Sequence, residues 1–412
     1  MKSPITQTVR VVKWGKPVLM ACLLASGLLA QNRLADPGVT AHEWGTFTSV
    51  AGNDGQAVEW RPLNVSASSF GQNSNSSGGN HHSQELPSFV ESLRYAAFKG
   101  GLHATIRMET PVLYFYSSQP ATVSVQVKFA KGLITEWYPH ATAPAVRGEL
   151  NDTALYYSTG FTGGSISWNA VAVEPGLAPD LPRDRNDNDN HYYAARETLA
   201  TPLRVSAPNG AQHEKFLFYR GVSLSPVPVS AKFTQEGRLR VRNLLHEEIP
   251  TVILFERRGE RVGYSISSGL RDEVLLDPPR MTATVEHLYG DLEEALVARG
   301  LYSEEAHAML ETWRNTWFEE GSRLFYIVPS SFVDTILPLS ITPAPAQVTR
   351  VFVGRIELVS PATQKAVTAA LASHDKATLA KYGRFLEAIE AVIREKTSTV
   401  VKAESRASPS RN

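Results

Sequence analysis

Three glutamate–tryptophan dipeptides are the first residues in this 412-residue chain whose types and spacing could do chemistry: Glu43-Trp44, Glu59-Trp60 and Glu136-Trp137. Two of them extend to Glu-Trp-x-Pro, at Glu59–Pro62 and Glu136–Pro139. A carboxyl buried beside an aromatic wall has a raised pKa, which suits a general acid. A pair of carboxyls about 5–10 Å apart is what glycoside hydrolysis uses, and indole faces at Trp44, Trp60 and Trp137 would receive a sugar ring. Neighbours on a strand face opposite sides, so a Glu and its adjacent Trp share a site only across a bulge. The competing expectation is that each Trp fills the core and each Glu meets water.

The histidines form a second set. His42, His140 and His191 fall at predicted strand ends or loops, as do His81 and His82 with Glu85 nearby. A metal centre needs three or four such ligands to converge, and no close ligand spacing is present. Asp184 and Asp187 open a run, Asp184–Asp189, with the oxygen-rich spacing of a calcium loop. Asp189 stands where such a loop needs glycine, and Ala195 where it needs a bidentate glutamate. Arg107 and Glu109 share one strand face and can pair; on an exposed strand that ion pair carries little weight. Met309, Trp313 and Trp317 fall at helical spacing and read as a core stripe.

No His-Glu-x-x-His, Gly-x-Ser-x-Gly, Walker or dinucleotide-binding glycine pattern occurs in the chain, so no motif requires a cofactor. The only cysteine is Cys22. It lies in a leader-like segment: Lys2, Arg10, Lys13 and Lys16 precede a short apolar run from Pro17 to Ala30. That is the pattern of a secretory signal peptide over residues 1–30, cleaved after Ala30 or, alternatively, after Ala35, and it is too short to span a bilayer. Leu19–Cys22 loosely fits a lipidation box, but too little apolar chain precedes the cysteine. The exported chain would then carry no disulfide in an oxidising compartment and would rely on its core.

The composition permits that core, with 42% hydrophobic and 20% charged residues. The chain holds 41 basic and 41 acidic residues; losing four bases and no acid with the leader leaves a net charge of −4. A nucleic-acid binder would show a basic excess, so that class is excluded. No segment after the leader is apolar enough to cross a membrane.

Period-two patterning positions the candidate residues. Val123, Val125, Val127 and Phe129 alternate with polar residues, as do Ile166, Trp168, Ala170 and Ala172. Thr251–Glu256 and Arg261–Ser267 flank Arg258–Glu260 as a hairpin; His42–Val50 and Gln56–Arg61 flank Gly52–Gly55 as another. The aromatic runs Leu113–Tyr116 and Phe216–Tyr219 each precede an alternating strand ending Lys-Phe, consistent either with an internal duplication or with convergence of buried strands on the same residue types. Helical spacing appears over Glu286–Arg299, after a Ser303 cap, and near Ala362–Ala372 and Ala377–Glu395. Asn64–Gln84 and Ala178–Asn190 read as long loops.

The run His42–Val50 (HEWGTFTSV) resembles the start of a family of predicted secreted bacterial proteins with no assigned activity. Met108–Tyr116, Thr135–Pro139, Asn190–Arg196 and Leu324–Pro329 extend the resemblance over most of the exported chain. It implies export and supplies no catalytic residues.

The expected architecture is mainly β: one or two antiparallel β-sandwich-like units with a late helical hairpin and C-terminal helices. The β-rich region covers residues 36–280, the hairpin 281–320, returning strands 321–360, terminal helices 361–397, and a disordered tail 398–412. The expected function is that of an exported, periplasmic or extracellular protein, non-catalytic, binding an extracellular polymer or an envelope protein. The alternative is a hydrolase acting on an extracellular polymer such as a glycan through paired carboxylates.

Overall fold

The computed structural model describes residues 38–63, 86–93, 101–146, 163–185 and 190–407. The proposed signal peptide, His81, His82, Glu85 and Asp187 lie outside the described residues. The chain is mainly β, with 43% in strands and 25% helical.

In chain order the strands are β1 (Thr40–Val50), β2 (Glu91–Ser92), β3 (Ile106–Tyr116), β4 (Ala121–Phe129), β5 (Gly132–Tyr138), β6 (Thr142–Val146), β7 (Gly164–Val173), β8 (Leu203–Ala207), β9 (Gly210–Glu214) and β10 (Phe216–Ser223). Then come β11 (Val229–Phe233), β12 (Leu239–Asn243), β13 (Ile249–Arg258), β14 (Arg261–Leu270) and β15 (Glu273–Leu276). The helical hairpin is α1 (Val285–Val297) and α2 (Ser303–Trp317), followed by β16 (Gly321–Val328), α3 (Ser330–Ile336), β17 (Leu339–Thr342) and β18 (Gln347–Leu358). The chain closes with α4 (Pro361–Ser373), α5 (Lys376–Ala380), a 3-10 turn at Gly383–Phe385 and α6 (Leu386–Ala407).

The strands form a nine-stranded sheet in the order β14-β13-β16-β18-β1-β3-β10-β5-β2. One of its faces packs on a six-stranded sheet, with β17-β4-β7-β8-β9 in sequence and β6 beside β7, and on a three-stranded sheet, β11-β12-β15. Phe47, Leu113, Leu217, Leu324 and Phe352 meet Val125, Ile166, Val241 and their neighbours there. Alternation along β4 produced this layer, since its odd-numbered residues point inward and its even ones outward. The opposite face carries Trp44, Tyr114, Phe325 and Val353, covered by α1 and α2 through Leu288, Leu292, Met309, Trp313 and Trp317. Further along that face, Val50 and Trp60 pack against Val367, Phe385 and Ile389 of the terminal helices.

Five differences from the sequence expectations have physical causes. The big sheet is antiparallel except at its centre, where β1 runs parallel to β18. That pairing puts the returning strands in the middle of the sheet, between β13 and β1, rather than after it. The aromatic strands β3 and β10 pair with each other, but the strands after them, β4 and β11, enter different sheets. Residues 56–61 form no strand; after the turn at Gly52–Gly55 the chain makes only single bridges, Ala51 to Ala57 and Trp60 to Ala104. The last helix continues its backbone to Ala407, so residues 398–407 are helical rather than a disordered tail.

The centre of the sheet is tightly made. The Tyr326 ring lies across Gly354 on the neighbouring strand, where an added Cβ would sit 2.0 Å from Cζ. At Gly45 the β1–β3 register shifts, and opposite it Thr110 adopts φ 46°, the left-handed region, just before Pro111. A buried, β-branched residue there is strained and is held by its surroundings.

Candidate functional site

Strand geometry sends Glu43 and Trp44 to opposite faces of β1. Glu43 points between the sheets and is fully buried. It accepts from the Tyr219 hydroxyl and, at 2.6 Å, from Arg350 Nε; Arg350 also reaches Asp334 at 2.7 Å. Burial and the Glu43 charge together push the Tyr219 hydroxyl well above its usual range. Glu136 is likewise buried and ion-paired, 2.8 Å from Arg220 Nε, with the Thr135 hydroxyl donating to the same oxygen. Glu59 is exposed. The three glutamates therefore divide, and the expectation that each meets water holds only for Glu59. Trp44, Trp60 and Trp137 are 0, 4 and 5% exposed, so none offers a face to a sugar. Trp60 stacks on Phe385, while Trp137 donates to Glu91 Oε2 at 3.0 Å.

The three candidate histidines have separate partners. His42 Nδ1 lies 2.8 Å from Glu305 Oε2, a carboxylate that also accepts from the Tyr116 hydroxyl and from the Tyr302 backbone N–H. Tyr302, not Ser303, is the cap residue of α2. His140 Nδ1 lies 2.8 Å from Glu91 Oε1, with about a third of each side chain exposed. The His191 ring sits 5.8 Å from Trp313. Glu305 and Trp313 stand eight residues apart on α2, about 12 Å along its axis, so His42 and His191 do not share a centre. Among the described residues no three His, Cys, Asp or Glu side chains are placed to hold a metal. Asp184 instead accepts from the backbone N–H and hydroxyl of Ser88.

Arg107 and Glu109 lead to the most unusual chemistry in the fold. Both are buried, not exposed. Register places Arg107, Glu109, Thr46, Thr48, Arg355, Glu357 and Arg323 on one face of β3, β1, β18 and β16, since Thr48 stands beside Arg107 and Arg355, Thr46 beside Glu109, and Glu357 beside Arg323. This band lies where the cover changes from the helical hairpin to the terminal helices. Arg384, on the 3-10 turn, reaches Glu109 Oε1 at 2.7 Å, and the Phe385 ring lies 4.4 Å from the Arg355 guanidinium. Arg323 pairs with Glu357 at 2.9 Å and donates to the Glu319 and Glu320 carbonyls.

Four guanidinium groups thus face two buried carboxylates, with Glu319 at the rim. Burial alone would raise the Glu109 pKa, but Arg384, Arg107 and Arg355 overcome it and hold the carboxyl below its usual value. Burial and then the Arg323 charge push Arg355 down to about 9, despite Glu357. Burial raises the Glu319 pKa against the pull of Arg323, Arg355 and Arg384.

Glu109 supplies a pH test. Its native pKa lies below the unfolded one, so in the window between them the unfolded chain binds more protons and stability rises with pH. The contribution is fully present above the unfolded pKa of about 4.3 and is lost as pH falls through the native value. Urea midpoints measured from pH 3 to 7 should show Glu109→Gln losing most against the parent at pH 7, with the gap narrowing toward pH 3.

A second buried pair, Arg196 with Glu214 at 2.6 Å, is flanked by Tyr192 and Tyr193 and ties the 3-10 turn at His191–Arg196 to β9. Sequence reasoning missed Glu91, Glu305, Arg323, Arg350, Arg355, Glu357 and Arg384. The available signal was charge inside an apolar alternation, as in Arg355-Ile356-Glu357-Leu358.

No family model matches the chain, and no curated protein matches it. Among solved structures, the yeast delta-COP-I mu-homology domain complexed with a Dsl1 WxWxV peptide is similar over 78% of this chain and 96% of that one, with 8% identity and a TM-score of 0.26. That likeness is too slight to carry an argument about fold or function.

Proposed function

We propose that this chain is an exported, non-catalytic envelope or extracellular protein that binds a polymer or a protein partner. One observation carries the reading. The glutamates best suited to a carboxylate pair, Glu43 and Glu136, are spent on buried ion pairs with Arg350 and Arg220, which makes them parts of the sheet. The leader-like residues 1–30 support export. The purified protein, incubated with extracellular and cell-wall polysaccharides, should co-sediment with its polymer and release no soluble fragments. N-terminal sequencing of the exported form should begin at Gln31 or Asp36. Fragment release that disappears in Glu43→Gln or Glu136→Gln would sink this reading.

The hydrolase alternative is favoured by a different observation. Glu91 orients His140 from one ring nitrogen, and both side chains are partly open to water. A carboxylate-oriented, accessible imidazole is the base half of many hydrolytic sites. Fragment release lost in His140→Ala but kept in Glu43→Gln would establish that reading instead.

A further inference from the structure

We propose that the open edge of β14 is an interface between two copies of this chain, paired antiparallel across a two-fold axis through Ile266, so that two nine-stranded sheets run on into one. The contact is independent of the polymer-binding reading.

β14 ends the nine-stranded sheet, with β13 as its strand neighbour. The two-residue turn Gly259-Glu260 closes on Arg258 and Arg261. In such a hairpin the closing pair exchanges hydrogen bonds and alternate residues follow it. Arg261, Gly263, Ser265 and Ser267 therefore bond to β13, while the even-numbered residues aim their N–H and C=O away from it. Val262 agrees: its carbonyl accepts from the Ala283 N–H at 3.0 Å, on the outer side. At the far end the Leu270 carbonyl accepts from Asn243 Nδ2 at 3.2 Å. Between these two, the outward N–H and C=O of Tyr264, Ile266 and Ser268 have no partner among the described residues. Ile266 and Ser268 are exposed.

Other strands at the ends of the sheets carry guards against pairing. β2 is two residues long, β17 lies between Pro338 and Pro343, β11 carries Lys232, β15 carries Glu273, and β9 ends in the buried Glu214. β14 has neither charge nor proline from Val262 to Leu270, and Ile266 leaves 43% of its surface open. The free stretch is symmetric about Ile266, which identifies its occupant. Antiparallel pairing with itself sets Ile266 opposite Ile266 and Tyr264 opposite Ser268, so every outward group finds a partner and none is left over. Tyr264 is already fixed, its hydroxyl donating to Asp291 Oδ2 at 2.6 Å. Charge begins only beyond the stretch, with Arg261 at one end and, at the other, Glu248 beside Gly269 and paired with Arg271. The antiparallel order brings the Arg261 end of each copy to the Glu248 end of the other. A two-fold contact of this kind presents the same patch from both copies and closes at the dimer.

The test is sedimentation equilibrium of the purified protein, with amide hydrogen exchange at low and high concentration. A monomer–dimer equilibrium is expected, with Kd on the order of 10 μM for so short an edge. Ile266→Lys should weaken association at least about tenfold, because the two-fold sets the two lysines directly opposite each other. Leu371→Lys, at an exposed apolar position on α4, should leave association unchanged. The amides of Tyr264, Ile266 and Ser268 should exchange about fivefold more slowly at ten times Kd than in dilute protein. A parent that stays monomeric leaves the edge to a strand of another protein and overturns the proposal. So does an unaltered Kd in Ile266→Lys or, where that variant is unfolded, exchange at these three amides that does not depend on concentration.

Discussion

Replacing Arg350 with methionine is expected to lower the free energy of unfolding by about 3–5 kcal/mol. The reason lies in what the substitution strands. Glu43 sits between the sheets with no contact to water, and among the described residues Arg350 supplies its only charged partner there. Tyr219 alone cannot repay the desolvation of a carboxylate, so Glu43 is left as a buried, unpaired carboxylate at high cost. Denaturant midpoints at pH 7 measure the loss. A surface pair is the useful contrast: Arg61 and Glu387 are 36 and 46% exposed, and Arg61→Met should cost no more than about 1 kcal/mol.

The second large effect is at Trp44. Trp44→Ala should destabilise the protein by about 3–5 kcal/mol, through lost burial and the cavity left behind. The indole is fully enclosed among Tyr114, Val112 and the residues of the helical hairpin. Polymer binding per folded molecule should be unchanged, because no face of the ring is open. Chemical denaturation alongside co-sedimentation separates the two readouts; a stable variant that no longer binds would return Trp44 to the role of a ligand platform.

Sequence reasoning reached parts of the molecule and missed others for identifiable reasons. β4 was legible because one face meets water, so polarity alternates along the strand; the β13–β14 hairpin was legible from the Arg258–Glu260 turn between two strand-forming runs. The helical hairpin was legible because its apolar stripe recurs every turn. The central strands β1, β3, β16 and β18 are buried on both faces, so their inward charges look like surface charges in the sequence. Arg107 and Glu109 were correctly placed on one face, but nothing local showed that the face was covered. The partners that decide each candidate's role lie far away in the chain: Glu305 is 263 residues from His42, and Arg350 is 307 residues from Glu43. No spacing rule reaches that far. The parallel pairing of β1 with β18 brings Glu43 to Arg350 and joins Arg355 to Thr48, and that pairing was the one feature of the sheet that period-two patterns do not encode.

A double-mutant cycle at Glu43 and Arg350, read by urea unfolding at pH 7, measures whether these buried carboxylates build the protein or serve chemistry in it. With Glu43→Gln, Arg350→Met and the two combined, a structural pair should show a favourable coupling of at least about 1.5 kcal/mol, each single change being destabilising and the double change recovering part of the loss. A Glu43→Gln protein that is as stable as the parent or more so, with no coupling to Arg350, would mark Glu43 as a group held under strain for catalysis and would contradict the account.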